Sequence, residues 1–262
     1  MLRRLRLGRT MIFDTEADLC AAFIGDLPEG WVAYCETAGW DLILVRGADG
    51  FQIGVQAKLK FNAKVIDQVL DSNSWAVDQP APDCRAVLIP RGETRGHYAN
   101  ICAHLGLTVI QCGRERERYA INRHIFRPSL PAIEDRLHWE TERDWHEFGP
   151  LKRVPLPEYV PDVKAGDKAP LQLTDWKIKA LKICATMERR GFVTREDFKH
   201  LRLDHRRWMA PGMAWLVLDG GVFKRGPHMP AFEKQHPKVY EQIKAEAGDW
   251  MRKNVDRTGV LF

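Results

Sequence analysis

Residues 40–58 read WDLILVRGADGFQIGVQAK, and this stretch predicts the β-hairpin around which the rest of the fold is organised. The second strand, 51–58, alternates strictly between apolar residues at odd positions and polar residues or glycine at even positions. The turn is expected at 47–50, where the Asp-Gly pair is a strong hairpin signal.

The loop length predicts the register of this hairpin. With four residues in the loop, Arg46 faces Phe51, and counting outward places Asp41 directly opposite Gln56. A register shifted by two residues places Asp41 opposite Lys58 instead. In either register a carboxylate, an amide oxygen and an ammonium group lie close together.

These three side chains are suited to binding a divalent metal and a phosphate. Magnesium prefers one or two carboxylates together with water and phosphate oxygens. Asp41 is therefore the predicted anionic ligand, the carbonyl of Gln56 a weaker neutral one, and Lys58 the group that serves the attacking water and the transition state. The alternative is that Asp41 caps a turn and that the polar face of the strand meets water.

The patterns around the hairpin predict the order αβββαβ, followed by a further α and β. An amphipathic helix at 15–24 and a short strand at 31–35 precede the hairpin. Strands on either side of crossover helices imply an α/β fold with a mixed sheet covered on both faces. The four elements after the hairpin are predicted at 63–74 (helix), 85–89 (strand), 98–105 (helix) and 107–112 (strand).

The chain resembles the PD-(D/E)XK, or restriction-endonuclease-like, nucleases. The resembling residues are Asp41 and then Gln56-Ala-Lys58, with Glu16 on the preceding helix and Gln68 on the following one. The resemblance covers roughly residues 14–125. It implies a restriction-endonuclease-like core, Mg²⁺ or Mn²⁺ as the cofactor, and hydrolysis of DNA phosphodiester bonds.

A narrower resemblance is to a family of uncharacterised bacterial and phage proteins assigned to that superfamily. It is carried by Glu36-Thr-Ala-Gly-Trp-Asp41, by Lys58-Leu-Lys-Phe-Asn62 and by Gln68-Val-Leu. In that family KLxFN follows the catalytic strand, and a winged-helix-like C-terminus follows the nuclease core.

The chain departs from the superfamily pattern at Gln56, which replaces the usual second acidic ligand. A Gln-x-Lys version is found in the Mrr-like branch, which is regarded as nucleolytic. An amide carries no net charge, so metal affinity is expected to fall. Glu36 and Glu16 are the candidates to supply further carboxylates; the alternative is a site that binds nucleic acid without cutting it.

Composition predicts a globular protein of the reducing cytoplasm. Of the 262 residues, 45% are hydrophobic, and the net charge is +5. No apolar run approaches the ~20 residues needed to cross a bilayer, so no membrane contact is expected. The basic first ten residues are too short and too charged for a secretory signal. The six cysteines show no CxxC pairing, and several are expected to be small buried apolar groups.

Three regions are predicted: a nuclease-like core at 1–127, a Pro-rich helical linker at 128–173 and a basic winged-helix-like domain at 174–262. The linker is expected to contain a helix with Trp139 and Trp145, favoured as core residues, and then an extended stretch from Gly149.

The last region has the order helix, short helix, helix, β-wing that is typical of winged helices. Thr174 and Gly191 are the expected ends of its first helix. A capping box at 194–197 opens the second. The third is expected to run from near Asp204 towards Leu218, with Pro211-Gly212 bending or breaking it.

Basic residues in this region predict DNA contact, because a cationic face gathers phosphates. The alternative is a protein-docking module, and the amphipathic stretch 235–255 is expected to pack back or to form a homodimer. The candidate DNA-binding residues are Arg202, Arg206, Arg207, Lys224 and Arg225.

The predicted function is that of a metal-dependent DNA endonuclease, or phosphodiesterase. The alternative is a catalytically inactive DNA-binding or regulatory protein on the same fold. A third reading is an adaptor that contacts other proteins.

Overall fold

The structure is a computed structural model in which the chain divides into two compact units. One unit comprises the described residues up to Leu156 together with 163–166, and the other comprises Pro157–Asp162 and the described residues from 172 onward. No helix among the described residues is both long and apolar enough to cross a membrane. The described residues are 12–71, 79–94, 96–114, 124–132, 144–166 and 172–253.

The first unit is built on a six-stranded mixed sheet whose strands lie in sequence order. The strands are β1 (Trp31–Thr37), β2 (Trp40–Arg46), β3 (Gln52–Ala57), β4 (Cys84–Pro90), β5 (Thr108–Cys112) and β6 (Phe126–Arg127). The first three strands are antiparallel, β3, β4 and β5 are parallel, and β6 returns antiparallel to β5. The predicted mixed sheet is confirmed, and only the two-residue β6 was not predicted.

Three helices flank the sheet at the positions that the sequence predicts: α1 (Glu16–Gly25), α2 (Ala63–Asp71) and α3 (Gly96–His104). A capping box between Thr15 and Asp18 fixes the start of α1. The predicted continuation of α2 to residue 74 lies outside the described residues.

Both faces of the sheet are covered by apolar cores. Leu19 and Phe23 of α1 pack on one face, and Val65 of α2 and Cys102 of α3 pack on the other. All six residues of β3 are consequently buried, and even Gln52 and Gln56 are only 3% and 5% exposed. The alternative in which the polar face of this strand meets water is therefore wrong.

Residues 145–166 contain no helix or strand. The indole nitrogen of Trp145 donates to the carbonyl of Ser129 at 2.8 Å, and its ring is buried, so its interpretation as a core residue is confirmed. The side-chain amide of Gln52 makes two hydrogen bonds of 2.9 Å to the backbone of Val154. Part of the predicted extended stretch thus packs on the sheet. Trp139 and most of the helix predicted around it lie outside the described residues.

The second unit places helices around a small hairpin. Thr174 and Gly191 cap α4 as expected, and the capping box at the start of α5 is present. A bridge between Val193 and Phe223 joins the chain before α5 to the hairpin. The elements are α4 (Asp175–Arg190), α5 (Arg195–His200), α6 (His205–Trp208), β7 (Leu216–Asp219), β8 (Val222–Arg225), α7 (Phe232–Gln235), α8 (Pro237–Ala245) and α9 (Ala247–Trp250).

Two predicted helices of this unit are shorter than expected. The third helix ends at Trp208 rather than near Leu218, because Pro211 cannot continue a helix and the backbone of Trp215 bonds back to Trp208 at 3.0 Å. The single helix predicted over 235–255 is also wrong. Its described part is divided among the end of α7, α8 and α9.

Candidate functional site

The hairpin has the register that places Asp41 beside Gln56. The backbone N–H of Arg46 donates to the carbonyl of Phe51 at 2.9 Å. The ladder ends at the pair Leu42 and Val55, so the next position along each strand holds Asp41 and Gln56. The register of the four-residue loop is confirmed, and the register shifted by two residues is wrong.

The carboxylate of Asp41 lies at the end of this ladder. Its Oδ2 accepts a hydrogen bond of 2.8 Å from the backbone N–H of Ala57. Burial raises the pKa of the Asp41 carboxyl above its ordinary value. The Ala57 N–H and the charge of Lys58 act in the opposite direction, and the nearby Glu16 carboxylate adds to the rise of the pKa. Asp41 is thus within electrostatic reach of both Lys58 and Glu16.

Lys58 and Glu16 form an ion pair. The Nζ of Lys58 is 2.7 Å from Oε2 of Glu16, and the two side chains are 23% and 30% exposed. Glu16 lies in the first turn of α1, whose position is set by the cap at Thr15. Lys58 directly follows β3, so this ion pair lies at the end of the strand, and Asp41 interacts electrostatically with both of its members.

Gln56 has a structural partner of its own. Its Nε2 donates to the carbonyl of Gly39, in the turn between β1 and β2, at 2.8 Å. An amide can make this bond and a carboxylate cannot, because only the amide carries N–H donors. The hydrogen bond gives a physical reason for glutamine at this position.

Glu36 anchors a distant segment of the chain. Its Oε1 accepts a 2.7 Å hydrogen bond from the backbone N–H of Gly166. A Cβ at Gly166 would lie 3.0 Å from the carbonyl carbon of Glu16, so this glycine allows the segment to approach α1 closely. A metal-binding role for Glu36 remains a prediction. The sequence gives no signal for Gly166, which is 130 positions away from Glu36.

Cys20 is a further residue of the site that sequence reasoning did not single out. Burial raises the pKa of its thiol, and the negative charges of Asp41, Glu36 and Glu16 contribute to the rise. The thiol is therefore neutral, so it contributes no charge to the site. Its spacing of four positions from Glu16 on a helix was the available signal. All six cysteines are buried and free, where burial of several was expected.

The two carboxylates fit a hard divalent cation. Among the described residues, no three histidine, cysteine, aspartate or glutamate side chains form a complete metal-holding group. Magnesium does not require one, because it commonly binds one or two carboxylates and completes its shell with water and substrate oxygens. Asp41 and Glu16, which interact electrostatically, are the two carboxylates that could serve in this way. Gln68, the polar residue expected on the following helix, lies in α2 and is partly buried.

The predicted DNA-binding residues lie on two neighbouring elements of the second unit and in the chain before α6. The rings of His205 in α6 and Phe223 in β8 have centroids 5.3 Å apart, so these elements pack together. Three of the cations bond to acids: Arg206 to Asp204 at 3.3 Å, Lys224 to Asp219 at 2.7 Å and Arg225 to Glu233 at 3.1 Å. Arg202 and Arg207 are exposed. Contact of these five residues with DNA remains a prediction.

Comparison of the chain with protein-family models, with curated proteins and with solved structures finds no match. Its function is therefore inferred from the chemistry of the described residues and from the motif resemblance.

Proposed function

We propose that the protein is a metal-dependent DNA endonuclease, or phosphodiesterase, with a restriction-endonuclease-like core in its first unit. The observation that carries this proposal is the ion pair of Lys58 with Glu16 at the end of β3, together with the electrostatic interaction of Asp41 with both residues. The order αβββαβ of the surrounding elements supports it, because the motif residues occupy the hairpin and the helix before it.

Asp41 and Glu16 are the proposed carboxylate ligands, and the carbonyl of Gln56 is the proposed neutral one. Bound Mg²⁺ or Mn²⁺ would supply Lewis-acid stabilisation of the phosphate and lower the pKa of a water molecule. In the contacts described above, Ala57 bonds to Oδ2 of Asp41 and Lys58 bonds to Oε2 of Glu16. The other oxygen of each carboxylate is therefore the proposed metal ligand. The ammonium group of Lys58 already lies against Glu16, so the site favours positive charge.

Lys58 is proposed to position the attacking water and to offset negative charge that develops on the phosphate. Its ammonium can donate hydrogen bonds to phosphate oxygens once it leaves Glu16. In-line attack by water would leave a 3′-hydroxyl and a 5′-phosphate, as the superfamily resemblance implies.

The second unit is proposed to be a winged-helix-like module that holds DNA. Its order of α4, the bridge at Val193, α5, α6 and the β7–β8 hairpin supports this proposal. The predicted cations lie on or before α6 and on β8, where such modules contact DNA. Because α6 spans only four residues, the contact would depend on the cations of β8 as well.

A DNA-binding protein without nuclease activity is the second candidate. The observation that favours it is the 2.8 Å hydrogen bond from Gln56 to Gly39, which directs the amide nitrogen at the backbone in place of a second charged ligand.

The test is to incubate the protein with supercoiled and single-stranded DNA in magnesium, in manganese and in chelator. We expect nicking that requires metal, disappears in Lys58→Ala and persists in Lys60→Ala, which removes an exposed lysine two positions away. If wild type and Lys58→Ala are equally inert but both shift DNA on a gel, the second candidate is correct. Failure to bind DNA at moderate salt would contradict both candidates and leave a protein-docking adaptor.

A further inference from the structure

The second unit carries a basic groove that none of the predicted DNA-binding residues lines. The groove has a volume of about 450 Å³ and lies between the C-terminal end of α4 and the chain in and after α9. Its cationic lining residues are Arg189, Arg190, Arg252 and Lys253, and its apolar ones include Ala247 and Met251. No carboxylate is among the described residues that line it. We propose that this groove binds the phosphate groups of a nucleic-acid strand.

Two guanidinium groups converge on one buried carboxylate beside the groove. The Nη2 of Arg190 hydrogen-bonds to Asp197, and the Nη1 of Arg252 lies 3.7 Å from the same carboxylate. Asp197 also accepts bonds from the N–H and the hydroxyl of Thr194, at 2.8 and 2.9 Å. One carboxylate is thus shared among the helix cap and two cations, so it is engaged before any ligand arrives.

Arg190 retains donors that a phosphate would satisfy. Its Nε and Nη1 are buried and make no hydrogen bond within the described part of the chain, while its side chain is 14% exposed. Its guanidinium lies 5.4 Å from the ring centroid of Phe192, which restricts its orientation. Buried donors without acceptors cost free energy, and the planar guanidinium fork matches the spacing of phosphate oxygens. A phosphate that reaches this guanidinium through a small side-chain shift would remove that cost.

The rim of the groove extends the positive charge. Arg189 and Lys253 are both exposed. An adjoining groove of about 240 Å³ shares Arg189, Ala247 and Met251, but there Glu188 pairs with Lys244 at 3.2 Å. The basic stretch therefore ends where an acid neutralises it. Four cations along one groove suit successive phosphates of a strand, whose binding releases counterions. The choice of nucleic acid rests on the proposed function.

The test measures binding without cutting. The full chain carrying Lys58→Ala is titrated, in chelator and over a series of salt concentrations, against fluorescent single-stranded and duplex oligonucleotides. The groove variant adds Arg189→Gln and Lys253→Gln, two exposed positions whose change leaves the core intact. The matched control adds Lys234→Gln and Lys238→Gln, which remove the same charge from exposed positions in and before α8.

We expect the groove variant to weaken binding several-fold and to reduce the slope of log K against log salt by about 2, near one unit per lost phosphate contact. In the control variant, the affinity and the slope of log K against log salt are both expected to stay close to those of the parent. Equal effects of the two variants, or an unchanged slope in the groove variant, would overturn the inference.

If the parent binds no DNA, the proposed function fails, and inorganic pyrophosphate then tests the groove separately. A pyrophosphate-dependent rise in Tm that is lost in the groove variant would retain a phosphate site and overturn only its assignment to nucleic acid. Absence of that rise would overturn the site itself.

Discussion

The ammonium nitrogen of Lys58 lies 2.7 Å from Oε2 of Glu16, so the residue that follows β3 is bonded to the first turn of α1. The two residues are 42 positions apart in the sequence. Each side chain is partly shielded from water, which strengthens the attraction relative to a fully exposed pair. In the proposed nuclease, a divalent cation at Asp41 and Glu16 competes with this ammonium group.

We expect Lys58→Ala to increase the stabilisation that magnesium confers on the fold. Removal of the ammonium group leaves Glu16 and Asp41 without their nearest cation, so bound metal meets no competing charge. The variant should have a slightly lower Tm in chelator, equivalent to less than ~1 kcal/mol for a partly exposed pair. Its Tm should rise more steeply with magnesium than that of wild type.

Thermal unfolding across a magnesium series measures this difference, with Lys60→Ala as the control that removes an exposed lysine. Identical magnesium dependence in wild type and Lys58→Ala would show that the ammonium group and the metal do not share a site.

Asp41→Asn is expected to stabilise the metal-free protein at neutral pH. Because burial raises the pKa of Asp41 in the folded state, the folded protein binds this proton more tightly than the unfolded chain does. Stability is therefore lost as the pH rises from the unfolded pKa of about 3.9 through the raised folded value. Asparagine can still accept the Ala57 N–H and carries no charge to desolvate.

The measurement is Tm against pH in chelator for both proteins. The variant should melt a few degrees higher at pH 7, and the difference should vanish in acid, where Asp41 is neutral in both states. A lower Tm for the variant at pH 7 would mean that attraction to Lys58 outweighs the cost of burial.

Gln56→Glu is expected to lower the stability of the fold and to raise its affinity for metal. The new carboxylate supplies the second acidic ligand of the superfamily, but the carbonyl of Gly39 loses its donor. Gly39 is exposed, so water can replace the lost donor, but the new carboxylate stands at a position that is only 5% exposed, and burying its charge is unfavourable. We expect a lower Tm in chelator, partial recovery with magnesium, and nicking at lower metal concentrations.

Gln52→Glu is the matched control, because Gln52 is a buried glutamine on the same strand whose amide bonds to Val154. It should lower Tm without recovery by metal. Equal recovery in both variants would indicate that the effect at Gln56 is not coordination.

Gly54→Ala is expected to destabilise the hairpin and disturb the site. A Cβ at Gly54 would lie 2.7 Å from ring carbons of Trp40, which is fully buried and precedes Asp41. Forcing a methyl group into a packed core costs about 1–3 kcal/mol. The free energy of unfolding should fall by that amount, and metal-dependent nicking should fall with it.

Denaturant unfolding measures the free energy of unfolding of each variant. Gly25→Ala, where no atom lies within 4 Å of the added Cβ, should leave both stability and nicking close to wild type. Retention of wild-type stability by Gly54→Ala would show that the Trp40 ring can move without cost.

Asp197→Ala is expected to destabilise the second unit by about 3 kcal/mol or more. The substitution removes the acceptor of the α5 capping box and leaves Arg190 and Arg252 without this carboxylate. Loss of one member of a buried ion pair typically costs about 3–5 kcal/mol. Asp175→Ala removes an exposed acid paired with Lys179 and should cost less than ~1 kcal/mol.

Denaturant unfolding monitored by tryptophan fluorescence follows both units, since Trp40 and Trp145 lie in the first and Trp208 and Trp215 in the second. The transition that moves in Asp197→Ala and not in Asp175→Ala is therefore the one to measure. A cost below ~1 kcal/mol for Asp197→Ala would mean that solvent replaces the lost carboxylate at both guanidinium groups.

Local patterns in the sequence were sufficient for the order of the elements of the first unit up to β5. Alternation at 51–58 and the Asp-Gly turn placed Asp41 opposite either Gln56 or Lys58, because both signals concern residues close together in the chain, and the ladder of the structure selected Gln56. The capping box at Thr194 is local for the same reason, because cap and acceptor lie within one helical turn. The third helix of the second unit is broken before Pro211-Gly212, where a break was expected, but the bond from the backbone of Trp215 to Trp208 that accompanies its end could not be read from the sequence.

The sequence by itself therefore determined the order of the elements from α1 to β5 and the residues that cap α4 and begin α5. Only the tertiary structure decided that both faces of β3 are buried and that Lys58 is bonded to α1. It also decided that Glu36 is bonded to Gly166. In the second unit it brought Arg190 and Arg252 to the same carboxylate, that of Asp197. The physical reason is the range of the interactions. Turns, caps and strand alternation depend on neighbouring residues, whereas the partner of a charged side chain depends on which distant element covers it.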